Sequence, residues 1–263
     1  MGLRDSEKAA VKAGETDMQH FFVTPEQVEE TYIRIEGTDV NHIRNVLRMR
    51  KGERIEISDG NNQKYLCEID SMDGQQVRAK IVERKETDTE LPVRIILFQG
   101  LPKSDKMEWI VQKTVELGVN KIVPVETKRA VVKLDEKKAG KKAQRWQSIS
   151  ESAAKQAGRG VIPQVENPIR FADALNHAKD LDLVLIPYEL AEGMEETRQI
   201  LSGIKKGMSV GIFIGPEGGF EKEEVEAAIT CANAHPLTLG KRILRTETAG
   251  ITVLSILMYL LEE

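Results

Sequence analysis

Residues 210–232, VGIFIGPEGGFEKEEVEAAITCA, contain a continuous apolar segment, a glycine-rich loop and a helical pattern, in that order. The apolar segment 210–215 predicts a strand buried on both faces, because a half-buried strand would alternate apolar and polar residues. Acidic residues open the helix predicted over 223–232, where they suit a helix N-terminus but repel phosphate. The stretch therefore predicts a strand–loop–helix unit whose loop is unsuited to a pyrophosphate.

Strands and helices alternate in the same way from residue 93 to the end of the chain. Apolar runs predict further strands over 93–99, 121–125, 183–187 and 236–239, and helical spacing predicts helices over 106–117 and 248–261. This alternation indicates an α/β domain with a parallel sheet covered on both faces. Ligands of such folds bind beyond the carboxyl ends of the strands. The apolar run 251–261 is too short to span a bilayer and predicts a buried helix.

The first part of the chain has a different pattern, with short strands between residues 31 and 83. Asp59-Gly60 and Asp73-Gly74 predict hairpin turns between them, and residues 39–49 show helical spacing. Several short strands of this kind predict a small β-barrel. The polar segment 84–92 marks the boundary, which gives domains over 18–90 and 91–263. Residues 1–17 alternate in charge and have no apolar core, so they do not resemble a signal peptide. We expect a flexible leader there, either native or an expression artefact.

Composition limits the function classes. The 263 residues carry a formal net charge of −4, so global charge does not indicate a nucleic-acid partner. The two cysteines, Cys67 and Cys231, form no CxxC pattern, and the four histidines fit no metal-ligand spacing, so we expect no metal. Because the longest apolar run is too short to span a bilayer, we also expect no membrane partner. Free cysteines favour a reducing cytoplasm. Trp109 and Trp146 are expected in the core.

A second loop, LGKRILRTETAG over residues 239–250, joins the last predicted strand to the last helix. Thr246 is a plausible N-cap of that helix. Arg242 and Arg245 flank an Ile-Leu pair, which fits either ordinary surface charges or a pocket for an uncharged aromatic group. The glycine-rich loop could likewise be a turn without a ligand. The chain contains neither GxxxxGK[ST] nor GxGxxG, so the main motifs of nucleotide-binding enzymes are missing.

The two loops resemble the cofactor-binding motifs of SPOUT methyltransferases. Three further segments, VQKTVELGV over 111–119, RWQSISESAAKQAGR over 145–159 and HIRNVLRMRKGE over 42–53, narrow the resemblance to the RsmE group, which methylates uridine N3 in 16S ribosomal RNA. The resemblance covers the chain from Met18 onward. It implies a PUA-like barrel before a parallel-sheet methyltransferase domain with a deep trefoil knot, although unknotted connections are the general default.

The resemblance also implies the site. S-adenosylmethionine would be the cofactor, and the partners would be a second copy of the chain and 16S rRNA in the assembled small subunit. Arg245 is the first candidate for the cation that stabilises the uridine anion. Glu217 is a weaker candidate for the base, and a turn carboxylate that bonds local backbone N–H groups is the preferred interpretation of it. The residues expected to bind the cofactor are Ile214, Gly215, Pro216, Gly218, Gly219, Leu239, Gly240, Ile243, Leu244, Thr246 and Ala249.

Local charge supports an RNA partner. Residues 121–160 contain eleven Lys or Arg against four Asp or Glu, and a second basic cluster lies in the first domain. Such clusters are typical of phosphate binding, although a charge run alone is more often a solvated helix face. The residues expected to bind RNA are His42, Arg44, Arg48, Arg50, Lys51, Arg145, Lys155 and Arg159.

Two other functions compete with this one. Another SPOUT enzyme, such as a ribose 2′-O methyltransferase, would share the knot domain but not the preceding barrel. A non-catalytic RNA-binding or ribosome-assembly factor could keep the fold without binding S-adenosylmethionine.

Overall fold

A computed structural model describes residues 18–189, 191 and 193–262. The leader predicted over residues 1–17 lies outside the described residues. The chain forms two units. The first runs to Glu90 and takes in Gly158–Val161, and the second holds Leu91–Ala157 and the residues from Ile162 onward.

The first unit is a five-stranded sheet with the order β1-β3-β4-β5-β2. Strands β1 and β3 are parallel and the other neighbours are antiparallel. Alternate residues such as Ile55, Ile57 and Ile69 are fully buried, so one face of the sheet forms the core of the unit. Its strands are β1 (His20–Phe22), β2 (Tyr32–Glu36), β3 (Arg54–Ser58), β4 (Gln63–Met72) and β5 (Gln76–Glu86).

The helix expected over residues 39–49 is shorter and less regular than predicted. Helix α1 (Thr38–Asn41) continues into a π-helical turn, His42–Val46, in which the Leu47 N–H donates to the His42 carbonyl. Arg48 then takes a positive φ of 55°, which ends the helix. A 3₁₀ turn, Pro25–Gln27, precedes β2.

The second unit is a parallel sheet of seven strands with helices between them. Six strands lie in the order β12-β10-β11-β6-β7-β8. The seventh strand, β9, also pairs with β7: β8 pairs with residues 121–122 of β7, and β9 pairs with residues 125–126. Its strands are β6 (Arg94–Gly100), β7 (Lys121–Glu126), β8 (Gln164–Val165), β9 (Ile169–Arg170), β10 (Leu183–Pro187), β11 (Ser209–Ile214) and β12 (Ala234–Leu237). Its helices are α2 (Lys106–Glu116), α3 (Glu136–Gln156), α4 (Phe171–Ala178), α5 (Met194–Ser202), α6 (Lys222–Ala232) and α7 (Thr246–Leu261).

The sequence located the main strands of this unit, with one displacement. The strand predicted over 236–239 instead occupies Ala234–Leu237. Asn233 adopts the left-handed conformation that ends α6, so the chain enters the strand at the next residue. The two-residue strands β8 and β9 were not predicted, because two residues carry no periodicity.

The two tryptophans differ in their exposure. Trp146 is buried, as predicted, but Trp109 is 52 % exposed, so its assignment to the core is wrong. The buried positions of α2 include Met107, Ile110 and Val111, and Trp109 lies off that face. In α7 only one face is buried, and Tyr259 is 82 % exposed near its end. Within the described ranges, no helix has the length and apolar character needed to cross a membrane.

Candidate functional site

A cavity of about 840 Å³ lies at the carboxyl ends of β10, β11 and β12 in the second unit. The loop after each of these strands contributes to its wall. Every residue that the sequence assigned to the cofactor lines this cavity, and so do Glu217 and Arg245. The structure therefore brings together two loops that lie some twenty residues apart in the chain. This position agrees with the general rule for ligands of parallel α/β sheets.

The glycine-rich loop after β11 folds back on itself. The Gly219 N–H donates to the Pro216 carbonyl over 2.9 Å, which closes a tight turn, and Gly219 has a φ of +67°. A Cβ atom on Gly215 would lie 3.0 Å from the Gly219 backbone. The loop therefore exposes backbone rather than side chains to the cavity.

The glycine-rich loop also approaches the end of β6. A Cβ atom on Gly100 would lie 2.7 Å from both the ring Cδ and the backbone nitrogen of Pro216. A side chain at position 100 would thus displace the loop. Sequence reasoning missed Gly100, whose only signal was its place at the end of a predicted strand.

Thr246 joins the two loops. Its hydroxyl donates to the Gly215 carbonyl over 2.6 Å and accepts from Nε2 of the buried Gln99 over 2.9 Å. Thr246 is the first residue of α7 and Arg245 is the N-cap, so the N-cap assignment of Thr246 is corrected by one residue. The tertiary hydrogen bonds place the Thr246 hydroxyl against the first loop.

Glu217 is held by an ammonium group and a backbone N–H group from the segment after β6. Its carboxylate accepts from Lys106 Nζ over 2.8 Å and from the Lys103 N–H over 3.1 Å. Partial burial opposes ionisation of Glu217, but the hydrogen bonds from Lys106 and from backbone N–H groups outweigh it and hold the pKa below its ordinary value. A carboxylate with occupied oxygens and a low pKa is a poor proton acceptor, so the geometry favours the structural alternative for Glu217.

We expect Glu217→Gln to lower stability rather than the methyl-transfer rate. Because the folded-state pKa is depressed, the stabilisation is present above the unfolded-state pKa and is lost as the pH falls through the folded-state pKa. Thermal unfolding at pH 7 should show a Tm lower by about 2–4 °C, with the difference from the native chain disappearing in acid. The control is Glu116→Gln, which removes a similarly exposed carboxylate paired with Lys113 on α2. A collapse of kcat with a displaced pH profile would instead assign Glu217 as the base.

Arg245 differs from Glu217, whose carboxylate is bonded to neighbouring residues. Its side chain is exposed at the cavity wall, and none of its contacts within the described residues is a hydrogen bond or an ion pair. Its donors are therefore free for a ligand. Ile243, in the same loop, is 87 % exposed and gives the cavity an apolar rim.

Several other lining residues were not singled out from the sequence. Tyr188 and Glu189 directly follow β10, so the rule for carboxyl ends of strands could have found them. Lys106 opens α2 and lines the cavity through its contact with Glu217. No group of three or more His, Cys, Asp or Glu side chains suited to a metal ion occurs in the part of the chain that the structure describes.

The basic residues of the first unit lie at its surface. The five residues expected to bind RNA are all exposed, and among the described residues the side chains of two of them form a hydrogen bond or an ion pair. Arg44 donates to the Asp73 carbonyl over 2.7 Å, and Lys51 pairs with Asp70 at 3.1 Å. The exposed residues are His42, Arg44, Arg48, Arg50 and Lys51.

The basic residues near α3 differ from the sequence expectation. Arg145 is exposed and forms a bidentate pair with Glu108, and Lys155 is half-buried. Arg159 lies beyond the end of α3 and is 2 % exposed, with its guanidinium paired to Glu90 within the first unit. A buried arginine whose donors face a carboxylate does not contact phosphate, so we remove Arg159 from the RNA-binding set.

Comparison with known families agrees with the two-unit structure. Residues 89–258 match the sequence profile of the RNA methyltransferase domain, and residues 35–82 match that of the RNA methyltransferase PUA domain. The fold is thus that of an RNA methyltransferase, with a PUA-like domain before a parallel-sheet α/β domain.

Individual relatives narrow the assignment. Ribosomal RNA small subunit methyltransferase E of Bacillus subtilis is 38 % identical over 253 residues, which cover 92 % of this chain and 96 % of the relative. The protein of the same name from Mesomycoplasma hyopneumoniae is 32 % identical, covering 90 % and 98 %. The crystal structure of that enzyme from Neisseria gonorrhoeae, bound to S-adenosyl methionine, matches with a TM-score of 0.78 and 32 % identity over 92 % of this chain and 98 % of that one. This chain belongs to the ribosomal RNA small subunit methyltransferase E family.

Proposed function

We propose that this protein uses S-adenosylmethionine to methylate N3 of a uridine in the 16S ribosomal RNA of the small subunit. The observation that supports the proposal is that the glycine-rich loop and the loop over residues 239–250 line the same cavity, in a chain of this family. The same position is the ligand site expected for a parallel α/β sheet.

The residues of the cavity fit S-adenosylmethionine. The cavity volume lies within the range of about 300–1,000 Å³ that is usual for small-molecule sites. Backbone of the glycine-rich loop can bond polar edges of the ligand, while Leu239 and Leu244 offer apolar contact to an adenine ring. Glu189 adds negative charge to the wall, which suits a ligand that carries a sulfonium cation. The acidic start of α6, with Glu223 and Glu224 in its first turn, suits a ligand without phosphate.

The roles of the protein side chains in the reaction follow from which charged groups of the cavity wall are already bonded to other residues. The cofactor supplies a methyl group that is already activated for transfer. Uridine N3 carries a proton that must leave, and a cation at the site stabilises the uridine anion that remains. Among the described residues, Arg245, Arg242 and Lys241 line the cavity with side chains that form no hydrogen bond or ion pair, whereas Lys106 is held by Glu217. Of these cations, Arg245 is the one that we assign to the uridine anion. Because Glu217 is occupied, we assign the proton to water.

A methyl-transfer assay tests the proposed function. Small ribosomal subunits that lack the modification would be incubated with the protein and labelled S-adenosylmethionine, and the RNA digested for nucleoside mass spectrometry. We expect label in 3-methyluridine. Label in a ribose would assign the chain to a 2′-O methyltransferase, and failure to bind S-adenosylmethionine would favour an assembly factor. Naked 16S rRNA, assayed in parallel, should be the poorer substrate if the assembled subunit is required.

We further propose that exposed basic residues of the first unit bind rRNA phosphates. Arg50→Ala should weaken RNA binding and reduce the slope of log K against log salt concentration by about one, because one phosphate contact is lost. Fluorescence anisotropy with a 16S rRNA fragment, over a series of salt concentrations, measures this slope. The matched control is Lys85→Ala, which removes an exposed cation of the same unit that is paired with Glu83. Equal slopes for both variants and the native chain would exclude Arg50 from the RNA contact.

We also propose a homodimer that buries apolar side chains of α2 and α7. These helices pack against each other, and their exposed surfaces include Trp109, Tyr259 and Leu260. Large exposed apolar groups on neighbouring helices are typical of a protein interface.

The deep trefoil knot implied by the family resemblance stays a prediction, because strand order alone does not define it. We place the protein in the cytoplasm, together with its rRNA substrate.

Tyr259→Glu should convert the dimer to a monomer, because it introduces a charge into a buried apolar interface. Sedimentation equilibrium at micromolar concentration measures the change in mass. Ile229→Glu is the control, since Ile229 is also an exposed apolar residue but lies on α6. A native chain that sediments as a monomer, or a Tyr259→Glu chain that remains dimeric, would contradict this interface.

A further inference from the structure

Arg129, on the loop after β7, contacts both the glycine-rich loop and the start of α6 through its guanidinium group. Its Nε and Nη2 atoms donate to the two carboxylate oxygens of Glu221 over 2.9 and 3.1 Å. Its Nη1 atom donates to the carbonyl of Gly218 over 2.8 Å. One side chain thus joins the glycine-rich loop to the start of the helix that follows it, from a part of the chain 89 residues away.

The bond to Gly218 fixes a peptide of the cavity wall. The carbonyl of that peptide faces Arg129, while its N–H, that of Gly219, donates to the Pro216 carbonyl. Both polar groups of the peptide are therefore bonded within the protein, and the plane of the peptide cannot rotate without losing one of them. Packing adds to the restraint, since a Cβ atom on Gly218 would lie 3.1 Å from the Cβ atom of Arg129.

The neighbouring backbone supports the same arrangement. The Lys128 N–H donates to Oε1 of Glu224 over 2.9 Å, and Oε2 of Glu224 accepts from the Glu221 N–H. Glu224 is buried, so these bonds are shielded from water. The loop that carries Arg129 is consequently attached to α6 by its backbone as well as by the guanidinium group.

We propose that Arg129 is a positioning residue for S-adenosylmethionine, which it serves by holding the Gly218–Gly219 peptide in the orientation that the cofactor contacts. The inference rests on the proposed function, since it concerns the same cavity. Arg129 is absent from the lining of that cavity, so it acts through the loop rather than by touching the cofactor.

The matched variants separate this role from a plain surface ion pair. Arg129→Ala removes all three bonds. Arg129→Lys keeps a charge for Glu221 but lacks the planar fork that reaches both Glu221 and Gly218. Lys128→Ala removes the adjacent cation, which pairs with Glu223 of α6 at 3.6 Å. Among the described residues, the Lys128 side chain forms no hydrogen bond or ion pair with the glycine-rich loop.

Isothermal titration of S-adenosylmethionine into each full-length variant tests the proposal. We expect Arg129→Ala to weaken binding by about tenfold or more, Arg129→Lys to weaken it by an intermediate factor, and Lys128→Ala to bind like the native chain. In methyl-transfer assays, Arg129→Ala should raise KM for S-adenosylmethionine while kcat at saturating cofactor is largely retained. Arg129→Lys keeps the test decisive should the alanine variant fail to fold.

The contrary results are distinct. Native affinity in folded Arg129→Ala and Arg129→Lys chains would overturn the positioning role. So would an unchanged affinity with a reduced kcat, because that pattern places Arg129 at the RNA or at the reacting atoms. If Lys128→Ala weakened S-adenosylmethionine binding as much as Arg129→Ala does, the loss would be due to the removed positive charge, and the positioning role would be overturned. If the native chain itself failed to bind S-adenosylmethionine, the proposed function would fall together with this inference.

Discussion

Arg245→Ala is expected to lower kcat by about 100- to 1,000-fold, which is the usual loss when one preorganised donor to a developing anion is removed. Arg245 lies at the cavity wall without an ion pair among the described residues, so its donors are available to the uridine. Because its exposed side chain makes no hydrogen bond to any other described residue, affinity for S-adenosylmethionine should change little. Single-turnover methyl transfer, with saturating cofactor, isolates this effect from product release.

The control for Arg245 is Arg198→Ala, which removes an exposed arginine of α5 that forms a surface ion pair with Glu195. Such pairs contribute little, so the rate of this variant should match that of the native chain. An Arg245→Ala chain with normal cofactor affinity and an undiminished rate would show that another group stabilises the uridine anion.

Gly100→Ala should both destabilise the second unit and abolish tight cofactor binding. The new methyl group would lie 2.7 Å from the backbone nitrogen of Pro216, so either β6 or the glycine-rich loop must move. Overpacking of this kind costs up to about 3 kcal/mol of unfolding free energy. Urea unfolding measures the stability, and titration of S-adenosylmethionine measures the affinity.

The matched control is Gly140→Ala in α3. No atom lies within 4 Å of a Cβ at this position, which is helical, so alanine should raise the unfolding free energy by about 0.5–1 kcal/mol. Opposite signs for the two glycine-to-alanine substitutions would support the close approach at Gly100. A Gly100→Ala chain with native stability and affinity would mean that the loop adapts freely.

The residues that the sequence predicted for the cofactor line one cavity, but the contacts that fix them were not predicted. Periodicity predicted β10 over 183–187 and β11 over 210–215, and the observed strands agree within one residue. Periodicity failed at residues 39–49, where a π-helical turn interrupts the helix. The core assignment of Trp109 is wrong for another reason, because helical spacing places Met107, Ile110 and Val111 on the buried face of α2 and leaves Trp109 outside it.

Charge patterns were less informative than apolar ones. Arg159 has the same local appearance as Arg145 in the sequence, yet it is buried against Glu90, which lies 69 positions earlier. No local pattern predicts that Gly158–Val161 packs with the first unit. Pairing between distant residues depends on the path of the chain, and a single sequence contains no direct record of it.

The sequence by itself determined the strand–loop–helix units, the two loops at their carboxyl ends and the resemblance to a methyltransferase family. Those features depend on local patterns of apolar, glycine and charged residues, which act over a few positions along the chain. The tertiary structure alone decided which groups at the cavity are free and which are occupied. Among the described residues, the Arg245 side chain has no hydrogen bond or ion pair, whereas Glu217 is held by Lys106. The sequence cannot show this difference, because it depends on side chains brought together from segments more than a hundred residues apart.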